Sequence, residues 1–180
     1  MGRELDAITP ELTEFLEAQP VFFVATAPES TNHHVNVSPK GLDSFRVLDE
    51  HTVAYLDLHG SGIETVAHVR ENGRITLMFC AFEGRPQIIR LQGRGTVIPA
   101  DAPEAASFLQ RVPHQPGTRS VIQVDVTRIS SSCGYGVPLM ELVGERSLLA
   151  EWAEKRGEEG LAEYRAKKNA TSISGLPGWF

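Results

Sequence analysis

Strand-like apolar runs, most of them alternating with polar positions at a period near two, recur seven times: 21–27, 34–38, 45–48, 52–58, 74–82, 87–98 and 120–129. That period predicts half-buried strands. The links between neighbouring runs, such as "PKGLD" and "EGRP", are short and rich in turn residues, which predicts antiparallel hairpins. Helical spacing interrupts the series. Thr9 as N-cap with Pro10 in the first helical position predicts a helix bearing Leu12, Phe15 and Leu16 on one side and ending before Pro20. Ile63, Val66 and Ala67 predict a short helix stopped by Asn72-Gly73. Asp101 with Glu104 resembles an acidic capping box and predicts a helix to about Val112. Leu149, Trp152, Leu161 and Tyr164 predict a helical stretch over roughly 146–168, interrupted by Gly157 and Gly160. The fold class is mainly β with flanking helices, and the strand count favours a small closed barrel.

Length and charge narrow the picture. A chain of 180 residues can bury one sizeable core. Residues 1–129 are read as the barrel domain. Residues 130–180 hold too few apolar side chains for a second core and are read as a loop and helical extension packed on the first. With 17 basic against 23 acidic residues and no basic cluster, recognition of nucleic acid through its phosphates is not expected. No apolar run approaches the ~20 residues of a membrane span. The acidic N-terminal stretch is unlike a secretion signal, and Cys80 and Cys133 are far apart. Together these point to the cytoplasm.

Candidate chemistry gathers in three places. In "DLHGSGIETV" a strand stops at Gly60-Ser61-Gly62 and a helix begins. Ser61 and Glu64 have the spacing of a capping box. Free N–H groups at the same corner could instead hold a phosphate, and the residues alone leave both readings open. In "NVSPKG", Lys40 follows a strand end with Ser38 two residues before it, and a lysine is a good point-charge partner for phosphate. In "RLQGRG", Arg90, Gln92 and Arg94 alternate on one face, either toward water or toward a ligand, while Ile89, Leu91 and the glycines take the other. His59, beside the glycines, is the histidine best placed to meet a ligand, a haem included. His33 and His34 fall in a turn that is expected to be exposed. No zinc-ligand spacing occurs, so no metal site is expected. Cys133 and Tyr135, in "SSSCGYGVP", are read as packing residues.

In order along the chain, "VNVSPKG", "AYLDLHGSG", "RENGRITLMF" and "IIRLQGRG" make residues 15–129 resemble the pyridoxamine 5′-phosphate oxidase-like family of FMN-binding split β-barrels. The resemblance implies a six-stranded antiparallel split β-barrel of Greek-key type. It also implies a homodimer with FMN in clefts at the subunit interface and an oxidoreductase acting on a small molecule. Alternatives on the same fold are an F420-dependent reductase and a non-enzymatic haem- or flavin-binding protein. By position, it assigns cofactor binding to Ser38, Lys40, Asp57, Gly60, Ser61, Gly62, Arg90 and Gln92. It assigns no catalytic side chain. Gly-Ser-Gly stands where family members often carry Ser-Arg-Lys, so a phosphate here would depend on backbone N–H groups and Lys40. The segment "NATSISGLPGWF" has no cationic side chain, unlike the arginine-rich end that grips pyridoxamine 5′-phosphate in true oxidases.

Overall fold

All seven expected strands form, and an eighth joins them. A computed structural model describes residues 2–179. In chain order the elements are β1 (Arg3–Leu5), α1 (Pro10–Glu17), β2 (Phe22–Thr26), β3 (Asn36–Lys40), β4 (Phe45–Asp49) and β5 (Thr52–Leu58). These are followed by α2 (Glu64–Asn72), β6 (Arg74–Cys80), β7 (Ile88–Pro99), α3 (Ala106–Leu109), β8 (Thr118–Ser132) and α4 (Leu148–Lys168). The strands form one antiparallel sheet in the order β3-β2-β6-β7-β8-β5-β4, with β1 paired to the far end of β8.

This corrects the expected architecture twice. The sheet has eight strands rather than six, and it is open, with β3 and β4 as its edges, rather than closed. β1 is three residues long and mostly exposed, so it has no alternation to read; only its pairing with Ile129–Ser131 makes it a strand. The sheet nonetheless curls strongly. Phe22 on β2 lies 5.5 Å from Phe45 on β4, near the opposite end of the strand order, and stacks on Phe79 at 5.2 Å. The inner face therefore encloses an aromatic and aliphatic core that includes Tyr55, Leu77, Leu91 and Ile122.

β5 is buried on both faces. Val53 and Tyr55 enter the main core, whereas Ala54 and Leu56 pack under the segment carrying Ala105, Phe108 and Val112. That segment is a 3₁₀ turn, Pro103–Ala105, running into α3. Asp101 caps neither; the turn begins after Ala102 with no side-chain cap, so the expected capping box is absent. The α1 reading is met: Thr9 Oγ1 accepts from the Leu12 N–H at 3.3 Å, and Leu12 and Leu16 are buried. Gly73 ends α2 at φ +71°, a conformation that favours glycine, and its N–H donates to Val69 O.

β7 and β8 pair along nearly their whole length, with a bulge that leaves Thr127 between Arg128, opposite Gln92, and Val126, opposite Gly93. Gly93 is required there, because a Cβ would come within 2.0 Å of Asp125 O. The expected alternation on β7 is present. Ile89 and Leu91 are fully buried, while Arg90 and Gln92 occupy the outer face.

The end of the chain folds back over this sheet. α4 is broken at Gly157, which has φ +65° and ψ 177°. A straight helix would place residues twelve apart about 18 Å apart, yet the rings of Trp152 and Tyr164 meet edge-on at 5.0 Å. The guanidinium of Arg156 lies 4.8 Å from one ring and 4.9 Å from the other. Gly160, the other expected interruption, stays helical. Trp179 packs against the main core beneath the Arg165 guanidinium, and Phe180 lies outside the described residues.

Candidate functional site

The site is organised by a carboxylate that the strand pattern forces inward. Asp57 lies two residues beyond Tyr55 on the core-facing side of β5, and is 2 % exposed. A carboxylate so buried is costly unless paired, and its three partners come from two strands, β8 and β3. Arg119 Nε donates to Oδ2 at 2.8 Å, and the Ser120 hydroxyl donates to the same oxygen at 3.1 Å. Lys40 Nζ lies 3.8 Å from Oδ1, an ion pair beyond hydrogen-bonding range. Ser120 stands directly opposite Asp57 in the β5–β8 register.

Lys40 reaches Asp57 because β3 is shifted from its expected bounds. The strand runs over 36–40, not 34–38, so Lys40 is its last residue rather than part of the following turn. Its partner is Phe22, whose side chain enters the core, so Asn36, Ser38 and Lys40 share the inner face at the open edge. There they look across to α2: Asn36 Nδ2 donates to Thr65 Oγ1 at 3.1 Å and to Ser38 Oγ at 3.3 Å. The facing sides of β3 and the start of α2 are thus polar and meet at the Asn36–Thr65 bond.

The Gly60–Gly62 corner joins the end of β5 to the start of α2. Its expected capping box does not form. α2 begins after Ile63, without a side-chain cap, and Glu64 turns its carboxylate back to accept from the Ile63 N–H at 3.0 Å and from the Ile173 N–H at 2.8 Å. The helix N-terminus is therefore already engaged by an acidic group. Ser61 and Gly62 are exposed, and a side chain at Gly60 would meet open space. The carbonyls of this turn are held from behind: Asn169 Nδ2 donates to Gly60 O at 3.0 Å, and Arg119 reaches Gly62 O at 3.4 Å.

Ser38, Lys40, Asp57 and the Gly60–Gly62 corner are thereby brought together. Arg90 and Gln92 are not. They lie on the outer face of β7, where Arg90 Nη1 donates to Ser132 Oγ at 3.1 Å and Gln92 shares a shallow groove with Ala25, Val35 and Thr76. Sequence reasoning missed Asn36, Thr65, Arg119, Ser120 and Asn169. Asn36 was within reach, since it stands two residues before Ser38 on the same strand.

The remaining candidates separate. His59 is 2 % exposed, and Nδ1 donates to Gly117 O at 2.7 Å, which leaves Nε2 buried without a partner. Burial pulls its pKa below the usual histidine value, and the Arg119 and Arg165 charges add to this. His68 is also buried; Nδ1 shares a hydrogen bond with Thr26 Oγ1 at 3.0 Å, and burial again lowers its pKa. His34 is exposed, whereas His33 is only partly so. Cys133 and Tyr135, expected to pack, are exposed, because the chain leaves the sheet after Ser132 and runs over its surface. Beside Lys40, a groove of about 860 Å³ opens between Pro20–Val21 and the segment from Met140 to Leu149. Among the described residues no three potential metal ligands cluster, and no helix is long and apolar enough to cross a membrane.

Residues 8–133 match the family described as pyridoxamine 5′-phosphate oxidase. The chain belongs to the pyridoxamine 5′-phosphate oxidase family. A member from Aspergillus flavus, the pyridoxamine 5′-phosphate oxidase family protein ustO, is 42 % identical over 192 residues, covering 96 % of this chain and 76 % of that protein. Among solved structures, HupZ of Group A Streptococcus superposes with a TM-score of 0.54 at 24 % identity, over 68 % of this chain and 91 % of that one. An FMN-binding protein from Syntrophomonas wolfei superposes with a TM-score of 0.50 at 14 % identity, over 66 % and 84 %. At such identities these two likenesses concern the fold. The polar cluster around Asp57 and β3 of this family member lies inside the matched region; Asn169, which holds Gly60 O, lies outside it.

Proposed function

We propose that this protein is a flavin-dependent oxidoreductase that holds FMN in the cleft between β3 and the Gly60–Gly62 corner. The observation that carries the reading is the charge set around Asp57. One buried carboxylate stands between two cations, and Arg119 with Ser120 already saturates its nearer oxygen. Lys40, farther away and 22 % exposed, keeps donor capacity for an anion in the cleft. The donor set fits a phosphate: one point charge, the Ser38 hydroxyl, and the N–H groups of an exposed glycine turn. Because Glu64 occupies the start of α2, the phosphate relies on Lys40 and the corner rather than on the helix dipole. Asp57 then acts by orienting Lys40, not by touching the cofactor. Membership of the family and the FMN-binding fold relative support this assignment.

Bound FMN would supply hydride transfer at its ring, the protein contributing orientation and a shaped site. The chain's own residues divide the remaining work. Arg90 and Gln92 face away from Lys40, so within one chain they do not meet the same molecule. A second copy packed on the outer face, where Val35 and Val37 are exposed beside Phe23 and Pro39, would bring them to a neighbouring cleft. The functional unit is therefore a homodimer. The mostly apolar groove between Pro20, Leu42, Phe82 and Leu149, which shares Lys40 with the cleft, is the place for a small and largely uncharged substrate.

The visible spectrum of freshly purified protein tests the cofactor. A band near ~450 nm is expected, whereas a Soret band or the fluorescent ~420 nm band of F420 would replace FMN by haem or a deazaflavin. Colourless protein that takes up neither FMN nor FAD on dialysis would overturn the reading.

A further inference from the structure

Resting on the phosphate reading of the corner, we propose that Asn169 is a positioning residue for that anion, and that the C-terminal segment controls the grip through it. Asn169 is fully buried, and its side chain works in two directions. Oδ1 accepts from Arg119 Nη1 at 2.9 Å, and Nδ2 donates to Gly60 O at 3.0 Å. In a trans peptide the carbonyl and the following N–H point to opposite sides. Drawing Gly60 O inward to Asn169 therefore turns the Ser61 N–H outward, toward the exposed side of the turn. Arg119 treats Gly62 O in the same way, and there the outward N–H of Ile63 is taken by Glu64. Of the two pinned peptides, the one set by Asn169 is the one that offers its N–H to a ligand. No side chain crowds that position, since even a Cβ at Gly60 would touch nothing within 4 Å.

Asn169 is itself held by the segment that follows. Its backbone carbonyl accepts from the Trp179 N–H at 2.6 Å, Gly178 N donates to Ala170 O at 2.9 Å, and Arg70 Nη1 donates to Gly178 O. Ile173 N–H binds the Glu64 carboxylate that closes α2. A side chain at Gly178 would collide with Asn169 O and with Ile63, so the segment is seated closely against the corner. The orientation of one peptide in the cleft thus depends on residues beyond the family-matched part of the chain.

The test uses the intact chain with Asn169→Asp, which keeps the acceptor for Arg119 and removes the donor to Gly60 O, and Asn169→Ser, which removes both contacts. Inorganic phosphate titrated into ¹⁵N-labelled protein should shift the Ser61 amide resonance in the wild type. The shift should be lost in Asn169→Asp while the rest of the spectrum stays native. With flavins, the preference for FMN over riboflavin should fall about tenfold, as for one hydrogen bond to a charged group, while riboflavin affinity is unchanged. An unmoved Ser61 amide in the wild type overturns the inference even if FMN binds, and leaves the flavin reading standing. Equal loss of FMN and riboflavin in both variants also overturns it, by reducing Asn169 to a structural role. If no flavin binds at all, the phosphate titration still decides the inference.

Discussion

Asp57 and Arg119 form an ion pair at 2.8 Å between side chains that are 2 % and 3 % exposed. The guanidinium also reaches Asn169 and Gly62 O, so one side chain ties β5, the glycine corner and the C-terminal segment together. Removing one member of a buried pair leaves the other charge unpartnered, at about 3–5 kcal/mol. Arg119→Met should lower unfolding stability by that order in urea titration. A loss below ~1 kcal/mol would mean that Lys40 alone can satisfy Asp57.

Lys40 tests the other half of the cluster. Its contact to Asp57 is long, and Asp57 keeps Arg119 and Ser120 without it. Lys40→Ala should therefore preserve the fold while weakening FMN roughly 10- to 100-fold, the worth of one charge-assisted contact. Riboflavin, which has no phosphate, should be unaffected. Equal wild-type affinity for the two flavins, measured by fluorescence quenching, would remove the phosphate from this cleft.

The outer sheet face predicts assembly. Val35 is 67 % exposed and Val37 61 %, beside Phe23 and Pro39. A patch of this kind on a sheet face marks an interaction surface. Sedimentation at micromolar concentration should give a dimer, and Val37→Asp, which alters only the outer face, should give a folded monomer. A monomeric wild type would contradict the homodimer.

The strands were legible because their burial pattern is local: inner residues such as Phe22 and Val24 alternate with half-exposed ones, and Gly73 is a local stop signal. The cleft was legible only in part. Lys40 and the corner are visible as motifs, but what holds them comes from far along the chain. Glu64 binds Ile173, 109 residues later, which is why the expected Ser61 cap gives way to a different closure. Asn169 reaches Gly60 across the same separation. Arg119 falls just outside the strand expected over 120–129, and only the β5–β8 register places it beside Asp57. β1 and the foldback at Gly157 depend on partners in the same way.

Two buried histidines should make stability depend on pH. His59 and His68 both have pKa values below the ordinary one, chiefly through burial. The unfolded chain, with ordinary histidines near ~6.5, then binds more protons than the folded one as pH falls. The stability is fully present above ~6.5 and is lost as pH falls toward the lower folded values. Urea midpoints should therefore drop between pH 7.5 and 5.5. His68→Asn can keep a hydrogen bond to Thr26 but cannot titrate, so it should remove part of that slope. An unchanged slope in this variant would assign the effect to other groups.

The last prediction concerns the substrate that gives the family its name. Pyridoxamine 5′-phosphate brings a doubly charged phosphate of its own, in addition to that of FMN. Withdrawing it from water requires paired cationic donors, and leaving it unpaired costs several kcal/mol. The segment over 169–179 contains no arginine, lysine or histidine. Where it meets the corner it offers backbone groups that are already engaged, at Ile173, Gly178 and Trp179, and the apolar ring of Trp179. Of the nearby cations, Arg119 is committed to Asp57 and Asn169, Arg70 to Gly178 O, Arg165 lies over the Trp179 ring, and Lys40 is assigned to the cofactor. The groove beside Lys40 does carry Arg146, but its lining also includes Glu83, Glu141 and Glu145, three carboxylates that oppose a second phosphate. Flavin-loaded protein should therefore form no pyridoxal 5′-phosphate from pyridoxamine 5′-phosphate under steady-state assay. Turnover near ~1 s⁻¹, within the ordinary enzyme range, would show that Arg146 or a group from the second subunit supplies the missing charge.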